Sequence, residues 1–190
     1  MLSFYKINAQ TKIVGECSLS FVIQKTNSND TLGFKMVYVK GDQCKTVLQT
    51  PQLTQTLYFS EQQSKATVTK DIGTSHFLQV INYPPINSPN LLSIKFLNPD
   101  SIVNILDYSC KQLSLKWSDG TTYFVWYTNQ IAATINNYEL AFKEVPGLVL
   151  AYTVISNSGT SLHYQATKID LSPISLSQFN VNKERYQSID

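Results

Sequence analysis

The strongest constraint on the fold of this chain is a two-residue alternation of apolar and polar side chains. Between Lys12 and Lys25 the apolar positions of this alternation are Ile13, Gly15, Cys17, Leu19, Phe21 and Ile23. Successive side chains of a β-strand point to opposite faces of a sheet, so the pattern predicts a strand with one buried face. The same rhythm follows in the next segment, where the predicted buried face carries Leu32, Phe34, Met36 and Tyr38.

The chain is rich in residues that favour strands and poor in residues that favour helices. It contains 13 Val, 15 Ile, 17 Thr and 11 Tyr, against 7 Ala and 5 Glu. β-Branched and aromatic side chains fit a pleated surface, whereas Ala and Glu favour helices. With 190 residues, 43% hydrophobic and 15% charged, the chain can bury the core of one domain, and disorder is excluded. We therefore expect an all-β domain with only minor helix.

Turn signals divide the chain into roughly ten to eleven strands. Asp119-Gly120 lies between two strand-like runs and predicts a hairpin, and Asn157-Ser158-Gly159 predicts another. The stretch from Tyr83 to Pro89 holds three prolines, which cannot donate to a strand ladder, so it predicts a crossover between two halves of one sheet. Short, regularly spaced strands favour a barrel, a half-barrel or a sandwich.

Charge and hydropathy exclude two classes of protein. The net charge is +2, the lysines are scattered singly, and Arg185 is the only arginine. Nucleic-acid surfaces cluster their cations and favour arginine, so no nucleic-acid partner is predicted. No run reaches the roughly 18 apolar residues of a membrane-spanning helix, so the chain is not predicted to span a membrane.

The sequence carries no motif that indicates catalysis. It has no nucleophile elbow, no Cys-x-x-Cys, no phosphate loop and no dinucleotide fingerprint. His76 and His163 both fall inside predicted strands, where they are interpreted as ordinary strand residues. We therefore predict a protein that is not an enzyme, with no catalytic residue, no metal site and no cofactor. A hydrolase whose site assembles in space, involving His163, is the least favoured alternative.

Three cysteines leave two interpretations open. Cys17 and Cys44 lie on predicted strands of the same N-terminal sheet, so a disulfide between them is one possibility. The other is that both, together with Cys110, are small buried apolar residues.

Both ends of the chain are predicted to lie outside the β domain. Ile7-Asn8-Ala9 before Gln10 resembles a signal-peptidase site, so residues 1–9 are interpreted as the remnant of an export signal, with an ordinary frayed terminus as the alternative. The single antiparallel β domain is then expected over residues 10–175. Residues 176–190 form a polar C-terminal tail.

Three ordered motifs resemble those of the GLPGLI family of exported proteins of Bacteroidetes. Residues 105–112 (ILDYSCKQ) are similar to the family's I-x-G-Y-x-C-K-K-A segment, and residues 125–131 (VWYTNQI) to its A-W-Y-T-x-E-I-P segment. Residues 144–150 (EVPGLVL) resemble the motif that names the family, and residues 38–42 (YVKGD) match a weaker upstream pattern. Asp107 stands where the family has a glycine, and Glu144 replaces the first glycine of the naming motif.

The resemblance implies an exported bacterial protein of the cell envelope, whether periplasmic, associated with the outer membrane or secreted. It also implies a distant similarity to the LolA-like class, in which a curved antiparallel sheet, or half-barrel, holds an acyl chain in an apolar concavity. Within the naming motif, Pro146-Gly147 is a turn pair that can start a strand at Leu148. Residues 130–145 would then cross the sheet, either as a lid over a cavity or as a plug that fills it.

The leading hypothesis is a non-enzymatic protein that binds a lipid, another apolar small molecule or an envelope protein partner in the concave face of its sheet. Seven bulky apolar residues, picked by alternation, are predicted to line the cavity: Phe21, Phe34, Met36, Leu115, Trp117, Trp126 and Leu148. Core packing is the alternative role for the aromatic residues among them. The second hypothesis is a structural or adhesion component of the envelope that assembles through sheet edges or surface aromatics.

Overall fold

The computed structural model describes residues 11–26, 28, 30–98, 101–135 and 138–189, and these residues form mostly strands. The strands are β1 (Lys12–Val14), β2 (Glu16–Lys25), β3 (Thr31–Lys40), β4 (Gln43–Gln49), β5 (Thr54–Ser60), β6 (Lys65–Ile72), β7 (Ser75–Asn82), β8 (Leu91–Leu97), β9 (Val103–Ile105), β10 (Tyr108–Trp117), β11 (Thr122–Thr128), β12 (Ile131–Ala133), β13 (Leu148–Ile155), β14 (Ser161–Asp170) and β15 (Gln187–Ser188). Short 3-10 helices cover Leu140–Phe142, Leu176–Phe179 and Lys183–Arg185. Eleven strands have seven residues or more, so the predicted number of main strands is confirmed.

One large sheet is built from two antiparallel meanders that meet at β2 and β14. Its strand order is β15-β7-β6-β5-β4-β3-β2-β14-β13-β11-β10-β8, with β9 beside β10. All neighbours in it are antiparallel except β15, which runs parallel to β7. A separate two-stranded sheet pairs β1 with β12 in parallel. Both predicted hairpins are present, and Gly120 and Gly159 adopt the positive φ values that their turns require.

The connection from β7 to β8 shows that the sheet is strongly curved. Ten inter-strand gaps separate these two strands in the strand order. In a flat sheet they would lie about 48 Å apart, whereas residues 83–90 can bridge only about 30 Å. The proline-rich stretch is therefore the predicted crossover, and it spans the open side of a half-barrel. These features confirm the predicted fold class, an all-β, curved and unclosed antiparallel sheet, which is the architecture expected of the LolA-like class.

The core lies on the concave face of this sheet, under the segment that contains the first 3-10 helix. Tyr138 and Phe142 are 2% and 0% exposed, and Phe142 packs edge-to-face against Tyr152 with ring centroids 4.9 Å apart. The Tyr138 hydroxyl donates a hydrogen bond to the carbonyl oxygen of Val149. Of the two predicted roles of residues 130–145, the described part of the segment takes that of a plug for most of the concavity.

Close packing explains the Pro146-Gly147 pair in residues 144–150, the segment that resembles the family's motif. β13 begins at Leu148, directly after Pro146-Gly147, and its first six residues are all buried, as the apolar run predicted. Gly147 is needed for space and not for a positive φ, because a Cβ atom there would lie 2.2 Å from the carbonyl oxygen of Thr128. Asp107, which stands in place of the family's glycine, has a φ of +66° at the turn between β9 and β10.

The predicted buried face of β3 is wrong. Lys35, Val37 and Val39 face the core with exposures of 2%, 0% and 1%, while Phe34 is 54% exposed on the other face. The side chains of β3 alternate between the two faces as predicted, but the face with the bulkier residues, Phe34 and Met36, lies on the convex side of the sheet. The prediction failed because it treated Lys35 as a solvent-facing residue.

Of the two interpretations of the cysteines, the structure shows the second: Cys17, Cys44 and Cys110 are free and buried, and the alternative of a Cys17–Cys44 disulfide is wrong. Cys17 pairs with Val39 across β2 and β3, and Val39 pairs with Cys44 across β3 and β4. Two inter-strand steps separate the cysteines by about 9.6 Å, beyond the reach of a disulfide. Burial raises the pKa of the Cys17 thiol to about 11 and that of Cys44 to about 12.

The two segments that flank the predicted domain, residues 1–9 and 176–190, differ in what the structure describes of them. The signal remnant at residues 1–9 lies outside the described residues. The C-terminal segment contacts the sheet, because Gln187 and Ser188 pair with Phe77 and Leu78. Across the described residues, no helix has the length and apolar character needed to cross a membrane.

Candidate functional site: a cavity in the concave face

Beside the plug, the concave face retains a cavity of about 430 Å³. Four parts of the fold surround it: the sheet, the crossover between β7 and β8, the turn between β10 and β11, and the segment 138–141. The lining residues are Lys35, Thr46, Leu48, Gln55, Leu57, Tyr83, Ser88, Pro89, Trp117, Asp119, Thr121, Tyr123, Tyr138, Glu139, Leu140, Ala141 and Tyr164. This volume falls within the range of small-molecule sites, which are mostly apolar with a few placed polar groups.

A buried ion pair joins the plug to the sheet at this cavity. The Lys35 ammonium bonds to the Oε1 atom of Glu139 and donates to the Tyr152 hydroxyl at 3.2 Å. The side chain of Lys35 is 3% exposed and that of Glu139 is 34% exposed. Both residues line the cavity, and the Glu139 carboxylate is the more exposed of the two charged groups.

Tyrosine rings surround the Lys35 ammonium. Its nitrogen lies 5.8, 5.5 and 5.9 Å from the ring centroids of Tyr138, Tyr152 and Tyr164. The rings of Tyr152 and Tyr164 stack at 4.3 Å. Aromatic faces attract cations, so these rings and the Glu139 carboxylate together stabilise a charge that apolar surroundings would otherwise disfavour.

The tyrosine hydroxyls around the cavity are weak acids. Burial raises the pKa of Tyr164 to about 12, and the negative charge of Glu139 adds to that rise. The same two causes, in the same order, raise the pKa of Tyr83 and of Tyr123. These hydroxyls therefore stay protonated at neutral pH and can donate hydrogen bonds to a ligand.

Trp117 lines the cavity, and its indole ring carries a buried donor, Nε1, without a hydrogen-bond partner among the residues that the structure describes. Leaving such a donor unpaired costs about 1–3 kcal/mol.

The structure brings few of the seven predicted lining residues together. Trp117 lines the cavity, while Phe21, Leu115 and Leu148 are buried in the core at 1%, 0% and 0% exposure. The prediction is wrong for three residues on the convex side: Phe34, Met36 and Trp126. The physical reason is the strand register, because bulk and alternation do not reveal which of two apolar faces is covered.

Sequence reasoning missed both charged residues of the site. Lys35 shares a strand face with Val37 and Val39, and this phase was the one available signal that it is buried. Glu139 lies in the crossing segment, 104 residues further along the chain. No local pattern connects the two residues, so the ion pair became visible only in the folded structure.

The arrangement shows no catalytic constellation among the described residues. His163 contacts Thr153 and Trp126, and His76 pairs with Asp71 near the C-terminal segment. Neither imidazole lines the cavity. Within the same described ranges, no cluster of three or more His, Cys, Asp or Glu side chains could hold a metal ion.

Comparison with known proteins gives a remote likeness. The sequence matches no known family profile and no curated protein. The crystal structure of MucB is similar to this chain with a TM-score of 0.48 at 10% identity, over 93% of this chain and 60% of MucB. MucB in complex with MucA(peri) gives a TM-score of 0.44 at 11% identity, over 89% and 55%. The chain thus spans less than two thirds of the length of MucB, and the GLPGLI resemblance stays a prediction.

Proposed function

We propose that this protein is a non-enzymatic binding protein that takes a small, largely apolar molecule into the concave cavity. The observation that carries the proposal is the open space of about 430 Å³ that the plug leaves beside a fully packed core. A concave space of this size with a mostly apolar lining is typical of sites that bind small molecules.

The sequence motifs support a location of this protein in the cell envelope or outside the cell. The segments 105–112, 125–131 and 144–150 support an exported protein of the GLPGLI kind, and therefore a periplasmic, outer-membrane-associated or secreted place of action. A lipid or another apolar molecule of the envelope is then the expected ligand. Native mass spectrometry of protein made in cells would show such a ligand as a mass above that of the chain alone. Denaturing the protein in organic solvent should release the ligand and remove this extra mass.

Binding is tested with a neutral apolar fluorophore, N-phenyl-1-naphthylamine, titrated into the purified protein. Leu48 lines the cavity from β4, and its neighbour Gln49 points to the opposite face of the same strand. Leu48→Trp fills the cavity, and Gln49→Trp is the matched control with the same added bulk. We expect Leu48→Trp to weaken binding by about tenfold or more, which is about 1.4 kcal/mol. Equal binding by the two variants, or none by the unmodified protein, would overturn the proposal.

One surface feature favours the second hypothesis, assembly through a sheet edge. β8 is the last strand of the sheet and carries Leu92, Ile94 and Phe96 at 61%, 37% and 61% exposure. Exposed apolar edge strands pair readily with other chains. Sedimentation at increasing concentration tests this candidate, with Phe96→Lys as the variant that should abolish any association. A monomer at all concentrations would remove self-assembly from consideration.

A further inference from the structure

The charged side chains of the cavity indicate what kind of head group a ligand would carry, provided that the cavity binds a ligand as proposed above. Three charged residues line the cavity: Lys35, Glu139 and Asp119. Lys35 is 2% exposed and already bonded to Glu139 and Tyr152. The two side chains that a ligand can reach are therefore both carboxylates.

Glu139 has acceptor capacity left for a ligand. Lys35 and Tyr152 both bond to its Oε1 atom, while its Oε2 atom has no hydrogen bond to any described residue. Because the side chain of Glu139 is 34% exposed and that of Lys35 only 3%, an entering molecule reaches the carboxylate more readily than the ammonium. Tyr123 and Tyr164 line the same space, and aromatic rings attract cations that approach their faces.

The electrostatic effect of Glu139 on its surroundings agrees with this geometry. Its charge raises the pKa of the hydroxyls of Tyr83, Tyr123 and Tyr164, after burial as the larger cause. Three hydroxyls that line the cavity therefore lie within the electrostatic influence of the Glu139 carboxylate.

We infer that the cavity takes an amphipathic cation: an ammonium group that pairs with Glu139, attached to an apolar body that packs against Leu48, Leu57 and Trp117. Such a ligand would complete a row of alternating charges in which Lys35, Glu139 and the ligand follow one another. Asp119 at the cavity entrance adds attraction of the same sign. An anionic lipid headgroup would have to displace Glu139 from Lys35 and is disfavoured.

The test compares three ligands that share one tail and differ in the head: octylammonium, 1-octanol and octanoate. Isothermal titration or competition against the naphthylamine fluorophore measures their affinities below micelle-forming concentrations. We expect octylammonium to bind about tenfold more tightly than 1-octanol, and octanoate to bind most weakly. The preference for octylammonium should shrink as salt is added. Octanoate binding as tightly as octylammonium, or equal binding of all three, would overturn the inference while leaving the proposed function intact.

Two variants separate Glu139 from Lys35 as the group that receives the head. Lys35→Met removes the competing cation, so the preference for octylammonium over 1-octanol should increase. The double variant Lys35→Met with Glu139→Gln leaves no buried charge unpaired, and its preference should fall to about one. If Lys35→Met instead abolished discrimination between heads, Lys35 would be the headgroup site and the inference would be wrong. If the unmodified protein bound neither the three ligands nor the fluorophore, the proposed function itself would be refuted.

Discussion

The Lys35–Glu139 pair predicts an asymmetric response to removal of its two charges. Glu139→Gln keeps the shape of the side chain but leaves a lysine ammonium, 2% exposed, without its carboxylate. Breaking a buried pair in this way costs about 3–5 kcal/mol. Glu139 is 34% exposed, so water screens the pair and the lower end of that range applies, about 3 kcal/mol. Lys35→Met leaves a carboxylate that water already reaches, and we expect it to cost less than about 1 kcal/mol.

Urea unfolding followed by tryptophan fluorescence measures this difference. With a slope of roughly 2 kcal/mol per molar urea, a loss of 3 kcal/mol lowers the midpoint by about 1.5 M. The double variant should resemble Lys35→Met, because the methionine removes the charge that Glu139 neutralises. Equal losses for the two single variants, or a larger loss for Lys35→Met, would refute the view that Glu139 serves to neutralise a buried cation. The slope must stay constant across the set for the comparison to hold.

Three further predictions concern single positions. Gly147→Ala places a Cβ atom 2.2 Å from the carbonyl oxygen of Thr128 and should cost about 2–3 kcal/mol in thermal unfolding, while Gly15→Ala, with no atom within 4 Å, should change stability by less than about 0.5 kcal/mol. Asp107→Gly relieves a φ of +66° and should stabilise the fold by about 0.5 kcal/mol; a loss of stability would show that the aspartate is favourable there. The three cysteines, whose pKa values burial raises to about 11 or 12, hold less thiolate than a free thiol at pH 8. At pH 8 iodoacetamide should label Cys17 and Cys110 roughly 200-fold, and Cys44 roughly 2,000-fold, more slowly than in urea. The native rates should rise toward pH 11, and rapid native labelling would contradict the burial of the thiols.

The sequence predicted the architecture well because that architecture follows local rules. Alternation in β2, the Asp119-Gly120 turn and the proline-rich crossover each depend on neighbouring residues, and each is present in the structure. Each signal agrees with the same sheet, so a single sequence was sufficient to find it.

The same local rules could not predict most of the residues of the candidate site. β3 has one face with Phe34 and Met36 and another with Lys35 and Val37, and only the curvature of the folded sheet decides which face is inside. Apolar bulk favoured the wrong face, because the carboxylate that makes Lys35 acceptable there comes from a distant segment. The Cys17–Cys44 disulfide failed for a related reason, since membership of one sheet does not give the number of strands between two residues.

The seam between the two meanders has a consequence for how this molecule reaches its native state. β2 lies near the start of the chain and pairs with β14 near its end, with Ser18 opposite Asp170 and Lys25 opposite Leu162. Loop-closure entropy opposes such pairing until most of the intervening chain is ordered, so contact order is high and refolding is slow. During synthesis one edge of β2 therefore stays unpaired until β14 has been made, and protection of that edge by a chaperone would matter more here than in a protein built from local hairpins.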